Sequence, residues 1–390
     1  MPRQPVLDPR FYRLDDTLRR PLTPRTEIGS GGGVLSASAD PAHGFGDATA
    51  WGFGGATFHD WVIRAPMTLS VWADGDPVFA EDGVYRPSHV TVNARDEATG
   101  LQVSEDKFVA PDDVLVSIVS FRNPGEWSIE VEVRVQWGVE RGQKWEINGA
   151  DYYVSRFAPP VADRRFTLPA NGRTRLAFAL AIAPDDRYVS TEGETARRRA
   201  EGYTRDLSAV VAHTEAFDRW ATKNTPRFDC PDPWAMRAWA NDCAALRRFA
   251  GRQMLPVSDV PLTVTRFLET ARNRFVGGDF DAPSDSPKVF LSDVFVRQVM
   301  GLTVSGDSLT VNPAPDLSAW QSFAVENYEF AGRRFTFVWD TPDTPGDAYD
   351  DGDKGFTIYD GKTVLHRQAD LSLVTVTIVP QQTFYDGDDE

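Results

Sequence analysis

The stretch "WSIEVEVRVQW", Trp127–Trp137, carries the clearest structural signal in the chain. Every second side chain is apolar, and the side chains between them are charged or polar. The apolar set is Ile129, Val131, Val133 and Val135, and the polar set is Glu130, Glu132, Arg134 and Gln136. An alternation of period two predicts a β-strand with one buried face and one face in water. The segment therefore predicts a half-buried strand of an antiparallel sheet.

The same alternation recurs through the first 190 residues or so. It appears in "APMTLSVWADG", "YRPSHVTVNARD", "VLVSIVSFRN" and "RTRLAFALAIAP", and the turn signals "NPGE", "DEATG" and "PANGR" separate these runs. Many strands joined by short turns are typical of an antiparallel sandwich. Residues 1–190 are therefore predicted to form a large N-terminal β-sandwich domain.

Residues 191–301 change to a helical period. In "TEGETARRRAEGYTRDLSAVVAHTEAFDRWATKN" the apolar residues recur at helical intervals, namely at Leu207, Val210, Val211, Phe217 and Trp220. "DPWAMRAWANDCAALRRFAG" begins with Asp232 as a cap and Pro233 in the first turn, and "SPKVFLSDVFVRQVMG" repeats this start with Ser286 and Pro287. The segment between them leaves room for one short helix and a loop.

Residues 302–390 return to strand patterns. "LTVNPAPDLSAWQSFAVENYEFAGRRFTFVWD", Leu309–Asp340, reads as strand, proline turn, strand, turn and strand. The predicted fold is therefore mainly β, with a large antiparallel β-sandwich, a short helical segment and a small C-terminal β-sandwich domain.

The amino-acid composition excludes some classes of binding partner. The chain has 390 residues and a formal net charge of −16, and 12% of its residues are aromatic. Such an acidic surface repels nucleic acid and anionic membranes. No apolar run reaches the roughly 18 residues of a membrane span, and the charged N-terminus lacks the apolar core of a secretory signal. We therefore expect a cytoplasmic protein in which Cys230 and Cys243, the two cysteines of the chain, are buried free thiols.

Three stretches resemble bacterial glycoside hydrolases with a six-hairpin α-barrel, the trehalase, glucosidase and glycogen-debranching-like group that includes mannosylglycerate-hydrolase-like proteins. "PRFDCPDPWAMRAWANDCAALRRF" resembles the linker strand and first barrel helix of that group. "SPKVFLSDVFVRQVMGLTV" resembles its last barrel helix, and the segment from Leu309 followed by "KGFTIYDGKTVLHR" resembles its closing β-domain. The resemblance implies a carbohydrate-active protein of glycoside hydrolase ancestry.

The resemblance also has a gap. Only Gly251–Asp285 separates the first-helix and last-helix signals. A six-hairpin barrel needs roughly twelve helices, and this segment is too short to supply the missing ten. The resemblance therefore implies two β-domains with most of the catalytic barrel missing, and the family's acid and base, which lie on barrel loops, are not carried over. Aromatic residues on the remaining helices, namely Trp234, Trp239, Phe249 and Phe295, then need burial, which predicts a homodimer.

Two aromatic segments are candidates for binding a saccharide. "AWGFGGATFHDWV", Ala50–Val62, contributes Trp51, Phe58, His59, Asp60 and Trp61, and "GQKWEINGADYYVSRF", Gly142–Phe157, contributes Trp145. Aromatic faces stack on sugar C–H surfaces, and nearby polar groups bind hydroxyls. The alternative interpretation is a strand pair with core aromatics and a surface hairpin.

Four carboxylates are candidates for acid–base chemistry: Glu146, Asp279, Asp281 and Asp293. "GGDFD" places Asp279 and Asp281 about 6–7 Å apart on one side of an extended segment. The alternative is that they are ordinary acidic turn residues. Asp293 lies within an apolar helix, where a carboxylate needs a partner or a shifted pKa.

No metal site or cofactor is predicted. The acidic turn Asp347–Asp353 has the spacing of oxygen ligands for calcium, but it lacks the closing glutamate of an EF-hand. The favoured interpretation of the turn is a solvated acidic hairpin tip.

Two functions remain open from the sequence. In the first, the protein binds a glycoside or small polar substrate in a cleft between the β-domains, and cleaves or rearranges it. In the second, it is a non-catalytic saccharide-binding or scaffold protein that lost the catalytic barrel.

Overall fold

A computed structural model describes residues 14–22, 27–29, 33–38, 51–59, 61–184, 193–205, 207–248, 260–275, 289–349 and 354–378. The chain divides into two compact units. The sandwich unit comprises Leu14–Ala221 and Ala244–Gln253, and the second unit comprises Met1–Arg13, Thr222–Cys243 and Met254–Glu390.

The sandwich unit contains an eight-stranded and a seven-stranded sheet, and both are antiparallel. In spatial order the first sheet is β1 (Arg20–Pro21), β7 (Asp82–Tyr85), β8 (Val90–Arg95), β9 (Gln102–Ala110), β10 (Val114–Arg122), β15 (Arg173–Pro184), β13 (Ala150–Phe157) and β12 (Lys144–Ile147). The second is β14 (Arg165–Leu168), β11 (Ile129–Trp137), β5 (Trp61–Ala73), β4 (Trp51–Phe58), β3 (Leu35–Ser38) and β2 (Glu27–Gly29), with β6 (Asp76–Val78) also on β5.

The inner faces of the two sheets share one apolar core. In β11, Ile129, Val131 and Val133 are buried there, while Glu130 and Arg134 are exposed, as the alternation predicts. The prediction of a mainly β protein with large antiparallel sheets is confirmed.

Helices cover part of the outer face of the eight-stranded sheet. Besides the short α1 (Leu14–Thr17), the unit contains α2 (Glu194–Arg205) and most of α3 (Ala209–Asn224). Small residues of these helices pack on alanines of β15. Leu207 and Val211, two of the apolar residues at helical intervals, are 36% and 55% exposed. The reason is that the chain turns between the two helices, which shifts the helical phase.

The second unit contains a five-stranded and a three-stranded sheet. The first is β16 (Arg227–Asp229), β19 (Ser322–Phe330), β20 (Arg333–Asp340), β21 (Gly355–Asp360) and β22 (Thr363–Gln368), and the second is β17 (Thr303–Ser305), β18 (Ser308–Val311) and β23 (Val374–Thr377). Its helices are most of α4 (Pro233–Arg248), α5 (Val264–Arg272) and α6 (Leu291–Asp293), which continues as a π-helix over Val294–Val299.

Helix ends in the second unit follow local chemistry. The backbone N–H of Ala235 donates to Asp232 Oδ1 at 2.9 Å, so the predicted cap of α4 is present. The last helix begins at Leu291, and its predicted starting residues Ser286 and Pro287 lie outside the described residues. Gly301 ends that helix with φ of 64°, and a Cβ there would approach the carbonyl oxygen of Asn312 to 2.4 Å.

Aromatic rings fill the helical part of the second unit. The ring of Phe295 lies 4.8 Å from that of Phe228 and 5.8 Å from that of Trp320, and Phe228 stacks on Trp239 at 4.3 Å. Trp239 and Phe295 are therefore fully buried within the unit and give no reason for a dimer. The homodimer and the truncated barrel both stay predictions.

Both cysteines are buried free thiols, as predicted. Among the described residues no helix has the length and apolar character needed to cross a membrane.

Candidate functional site

A tight hairpin presents the first aromatic segment. β4 and β5 pair Phe58 with Trp61, so the loop consists of His59 and residue 60. His59 has φ of 51°, a left-handed conformation that two-residue hairpin loops require at this position. Asp60 lies outside the described residues. The hairpin therefore carries His59 and Trp61 to one end of the sandwich unit.

The β12–β13 hairpin brings the second aromatic segment to the same place. Trp145 and Tyr152 are cross-strand partners, and both meet the first hairpin. The rings of Trp61 and Trp145 stack with centroids 6.4 Å apart, and Phe58 lies 5.1 Å from Tyr152 and 6.3 Å from Trp145. The structure thus joins two segments that lie about eighty residues apart in the chain. We call Phe58, His59, Trp61, Trp145 and Tyr152 the aromatic cluster.

Burial is unequal within the aromatic cluster. Phe58 is fully buried and Trp145 nearly so, whereas Trp61 remains 50% exposed. His59 is half-buried, and its Nε2 lies 3.3 Å from the Tyr152 hydroxyl. Trp61 therefore rests on Trp145 and has an indole surface open to a ligand, with a polar pair beside it.

Trp51 lies elsewhere. It is fully buried at the other end of β4, and its indole Nε1 donates to the Val78 carbonyl oxygen at 3.1 Å. Neither Trp51 nor Phe58 has an exposed ring face, so both are core residues in this structure, which is the alternative interpretation of their segment. Of the aromatic residues predicted to bind a ligand, Trp61 has the surface to do so.

Glu146 points away from the aromatic cluster. Successive side chains of a strand project to opposite faces, so Trp145 and Glu146 lie on opposite sides of β12. Glu146 is exposed, and its cross-strand partner is Asp151, whose carboxylate is 2.7 Å from the Lys144 ammonium. The sequence predicted one pocket for Trp145 and Glu146, and the pleat of β12 places their side chains on opposite faces.

The other acid–base candidates are not brought into the aromatic cluster. Asp279 and Asp281 lie outside the described residues. Asp293 belongs to the second unit, is partly buried and accepts a hydrogen bond from the Tyr328 hydroxyl at 2.7 Å. Burial and the neighbouring Asp293 carboxylate raise the pKa of Tyr328. Asp293 is thus a carboxylate with a structural partner.

A fully buried carboxyl in the second unit was missed by the sequence. Asp242 accepts from the backbone N–H of Leu291 at 2.8 Å and lies 3.5 Å from the Arg274 guanidinium. Burial raises the pKa of Asp242 to about 7. Because it holds the first turn of α6, the arrangement stabilises the helix start.

The sandwich unit contains a buried network around Ser88. The backbone N–H of Ser88 donates to Asp15 at 2.9 Å, its hydroxyl also contacts the Asp15 carboxyl, and the same hydroxyl is 2.7 Å from His89 Nδ1. Burial raises the pKa of Asp15 to about 6 and lowers that of His89 to about 4. In a nucleophilic triad the histidine stands between serine and carboxylate, whereas here the serine does. All three residues are buried, so the network is structural.

Metal-ligand geometry is absent from the part of the chain that the structure describes, where no three His, Cys, Asp or Glu side chains converge. Asp350, Asp351 and Asp353 of the acidic turn lie outside that part. The neighbouring Asp340 accepts from the Lys354 ammonium at 2.9 Å and from the Ala348 N–H at 2.8 Å.

Comparison with known proteins gives remote similarities. No family model and no curated protein matches the chain. A solved structure described as a kojibiose phosphorylase from the human microbiome has a TM-score of 0.40 and 8% identity, over 61% of this chain and 40% of that one. A sialidase structure has a TM-score of 0.23 and 16% identity, over 38% of this chain and 15% of that one. The chain thus spans less than half the length of either.

Both neighbours are carbohydrate-active enzymes by name. At TM-scores of 0.40 and 0.23 the similarity does not establish a shared fold, so the function proposed for this chain depends on its own residues.

Proposed function

We propose that the sandwich unit binds a neutral saccharide on the exposed ring surface of Trp61. The observation that carries the proposal is the stacking of a half-exposed indole on a buried one, Trp145, at 6.4 Å. An indole held by a second ring loses little further side-chain freedom when a ligand packs against it. Such a platform favours a flat, apolar ligand face.

Sugar rings have apolar C–H faces and hydroxyl edges. The faces pack on an aromatic ring, and the edges need donors and acceptors nearby. The His59 imidazole and the Tyr152 hydroxyl, 3.3 Å apart, supply both kinds of group beside Trp61.

The experiment compares the wild-type chain with Trp61→Ala and Trp127→Ala by calorimetric titration with neutral gluco-, manno- and galacto-oligosaccharides. Trp127 is a matched control because it is 83% exposed, belongs to the same unit and lies in the β10–β11 turn. We expect Trp61→Ala to weaken binding about tenfold or more, equivalent to about 1.4 kcal/mol, and Trp127→Ala to bind as the wild type does. Failure of the wild-type chain to bind any of these sugars would refute the proposal, as would equal losses in the two variants.

Cleavage of a glycoside is a second candidate function, and one observation favours it. Glu146 and Asp151 are direct cross-strand partners, which puts two carboxylates within the roughly 5–10 Å range that glycoside hydrolysis uses. Two observations count against this assignment. The ion pair of Asp151 with Lys144 engages one of the two carboxylates, and Glu146 lies on the face of β12 opposite Trp145.

The test for cleavage is release of reducing ends from the oligosaccharides that bind. If Glu146 is catalytic, we expect Glu146→Gln to lower turnover about a hundredfold while saccharide binding is retained. Binding without turnover in the wild type would leave a saccharide-binding protein and exclude the enzyme.

A further inference from the structure

The outer face of the eight-stranded sheet has two unlike halves. Over one half, Phe108, Val116 and alanines of β15 form an apolar surface, and α2 and α3 pack on it. Over the other half the outward side chains become polar, and an open groove of about 870 Å³ crosses β7, β8, β9, β10 and β15. The second half is therefore a distinct surface of the sandwich unit.

Four arginines line this groove: Arg95 on β8, Arg122 on β10, and Arg173 and Arg175 on β15. Arg122 and Arg173 are direct cross-strand partners, which places their Cα atoms about 4.5–5.5 Å apart. Two like charges at such positions destabilise a sheet. We call these four residues the arginine groove.

Among the described residues that line the groove, the four arginines outnumber the acidic residues Glu81 and Asp82. Across the described parts of the chain, none of its four guanidinium groups has a carboxylate oxygen within 4.0 Å. Glu81 and Asp82 belong to the lining of the groove. Burial raises the pKa of the carboxyl of Asp106, and the charge of Arg175 acts to lower it. Asp82 accepts from the Asn93 amide at 3.0 Å. In a chain with net charge −16, four unpaired arginines on one surface indicate an anionic ligand.

The remaining lining residues indicate what kind of anion fits. Asn93, Gln102, Ser104 and Ser120 place neutral amide and hydroxyl groups between the arginines. Guanidinium groups bind carboxylates through paired hydrogen bonds, and amides and hydroxyls suit sugar hydroxyls. Among the described residues of the lining, Phe121 is the aromatic one, and it is buried, so none of these residues offers a ring on which a nucleic acid base could stack.

We infer that the arginine groove is a binding site for an acidic saccharide. The four arginines bind the carboxylates of its uronate residues. The site is separate from the aromatic cluster. β15 begins at Arg173 in the groove and ends at Pro184, which pairs with Tyr152, so the two surfaces lie about 35 Å apart along one strand. The inference goes beyond the saccharide site at Trp61 and does not depend on it.

The test is calorimetric titration with an oligomer of galacturonic acid at two salt concentrations. We compare the wild-type chain with Arg122→Glu/Arg173→Glu and with Arg141→Glu. Arg141 is an exposed arginine in the β11–β12 turn of the same unit, outside the groove, and its change reverses one charge. Titration of Trp61→Ala with the same oligomer shows whether the two sites act separately.

We expect wild-type binding that weakens with added salt, a loss of about tenfold or more in the double variant, and near wild-type binding in Arg141→Glu and Trp61→Ala. Equal loss in Arg141→Glu would overturn the inference, because it would indicate a general charge effect. Absence of wild-type binding would overturn it as well, and so would equal binding of inorganic phosphate, of a single-stranded oligonucleotide or of a neutral oligosaccharide in the groove.

Circular dichroism and thermal melting establish that the variants are folded. Arg122→Gln/Arg173→Gln, which removes the charges without reversing them, provides a second variant. Because it relieves like-charge repulsion, we expect a melting temperature at or above that of the wild type together with weaker binding. A variant that melted lower would indicate a structural role for the arginines and contradict the inference.

Discussion

The inner and outer faces of the eight-stranded sheet carry charge in opposite ways. On the inner face, Glu105 and Lys107 of β9 are fully buried, and they hold the two backbone groups of Gly52. Glu105 accepts from its N–H at 2.8 Å, and the Lys107 ammonium donates to its carbonyl oxygen at 2.7 Å. On the outer face, the arginine groove has no such partners among the described residues.

This difference separates structural charge from functional charge. A buried ion without partners costs several kcal/mol, which explains why the buried Glu105 and Lys107 lie 3.7 Å apart. Exposed arginines carry no such penalty, and their repulsion persists at a small cost in stability. Exposed charged side chains that form no ion pair within the fold are available to bind a ligand.

Breaking the buried Glu105–Lys107 pair should lower the free energy of unfolding more than any other substitution considered below. Lys107→Met removes the ammonium that lies 3.7 Å from Glu105 and leaves that carboxylate buried without its counter-ion. We expect a loss of about 3–5 kcal/mol in the free energy of unfolding, measured by urea denaturation at pH 7. The double variant Glu105→Gln/Lys107→Met should lose less, because no charge is then left in the core. A loss under about 1 kcal/mol in the single variant would contradict the comparison.

The Ser88 network should show a pH-dependent effect. The folded-state pKa of Asp15, about 6, exceeds its unfolded value of 3.8, so this carboxyl favours the folded state below pH 4 and loses that contribution as pH rises to 6. The folded-state pKa of His89, about 4, is below its unfolded value of 6.5, so His89 favours folding above pH 6.5 and loses that contribution as pH falls to 4. In the wild type these two slopes oppose each other.

Asp15→Asn removes one of the two slopes. We therefore expect the stability of the variant, relative to the wild type, to increase from pH 4 to pH 6.5, by up to about 1.4 kcal/mol for each unit of pKa displacement. The interactions of Asp15 with Asp218 and Arg86 are lost together with its carboxylate, so they are part of the measured difference. Urea denaturation at half-unit pH intervals measures it, and a difference that did not vary with pH would contradict the assignment.

A charge change on the outer face of the eight-stranded sheet should alter the free energy of unfolding least. Arg122→Glu alone places opposite charges on the cross-strand pair with Arg173. We expect a gain of about 0.2–1 kcal/mol in the free energy of unfolding in the absence of ligand. Arg141→Glu should leave stability near the wild-type value. A net loss in Arg122→Glu would show that Arg122 already contributes to folding.

Local patterns account for what the sequence predicted correctly. The alternation in β11 identified its buried face, and the Asp232–Pro233 pair identified the start of α4. Both depend on neighbours a few residues away, where side-chain period and capping chemistry decide the outcome.

Register accounts for what the sequence missed. Arg122 and Arg173 become neighbours through the pairing of β10 with β15, fifty-one residues apart in numbering. Trp61 meets Trp145 because two distant hairpins reach the same end of the sandwich unit. The candidate pocket combined Trp145 with Glu146 by adjacency in sequence, and adjacency in a strand places side chains on opposite faces.

A crossed titration tests most directly whether the sandwich unit has two separate binding sites. The wild-type chain, Trp61→Ala and Arg122→Glu/Arg173→Glu are each titrated with a neutral oligosaccharide that the wild type binds and with the galacturonic acid oligomer. We expect Trp61→Ala to lose binding of the neutral oligosaccharide and to keep binding of the galacturonic acid oligomer. We expect Arg122→Glu/Arg173→Glu to lose the galacturonic acid oligomer and to keep the neutral oligosaccharide. Loss of both ligands in one variant, or of neither ligand in both, would contradict two separate sites on the sandwich unit.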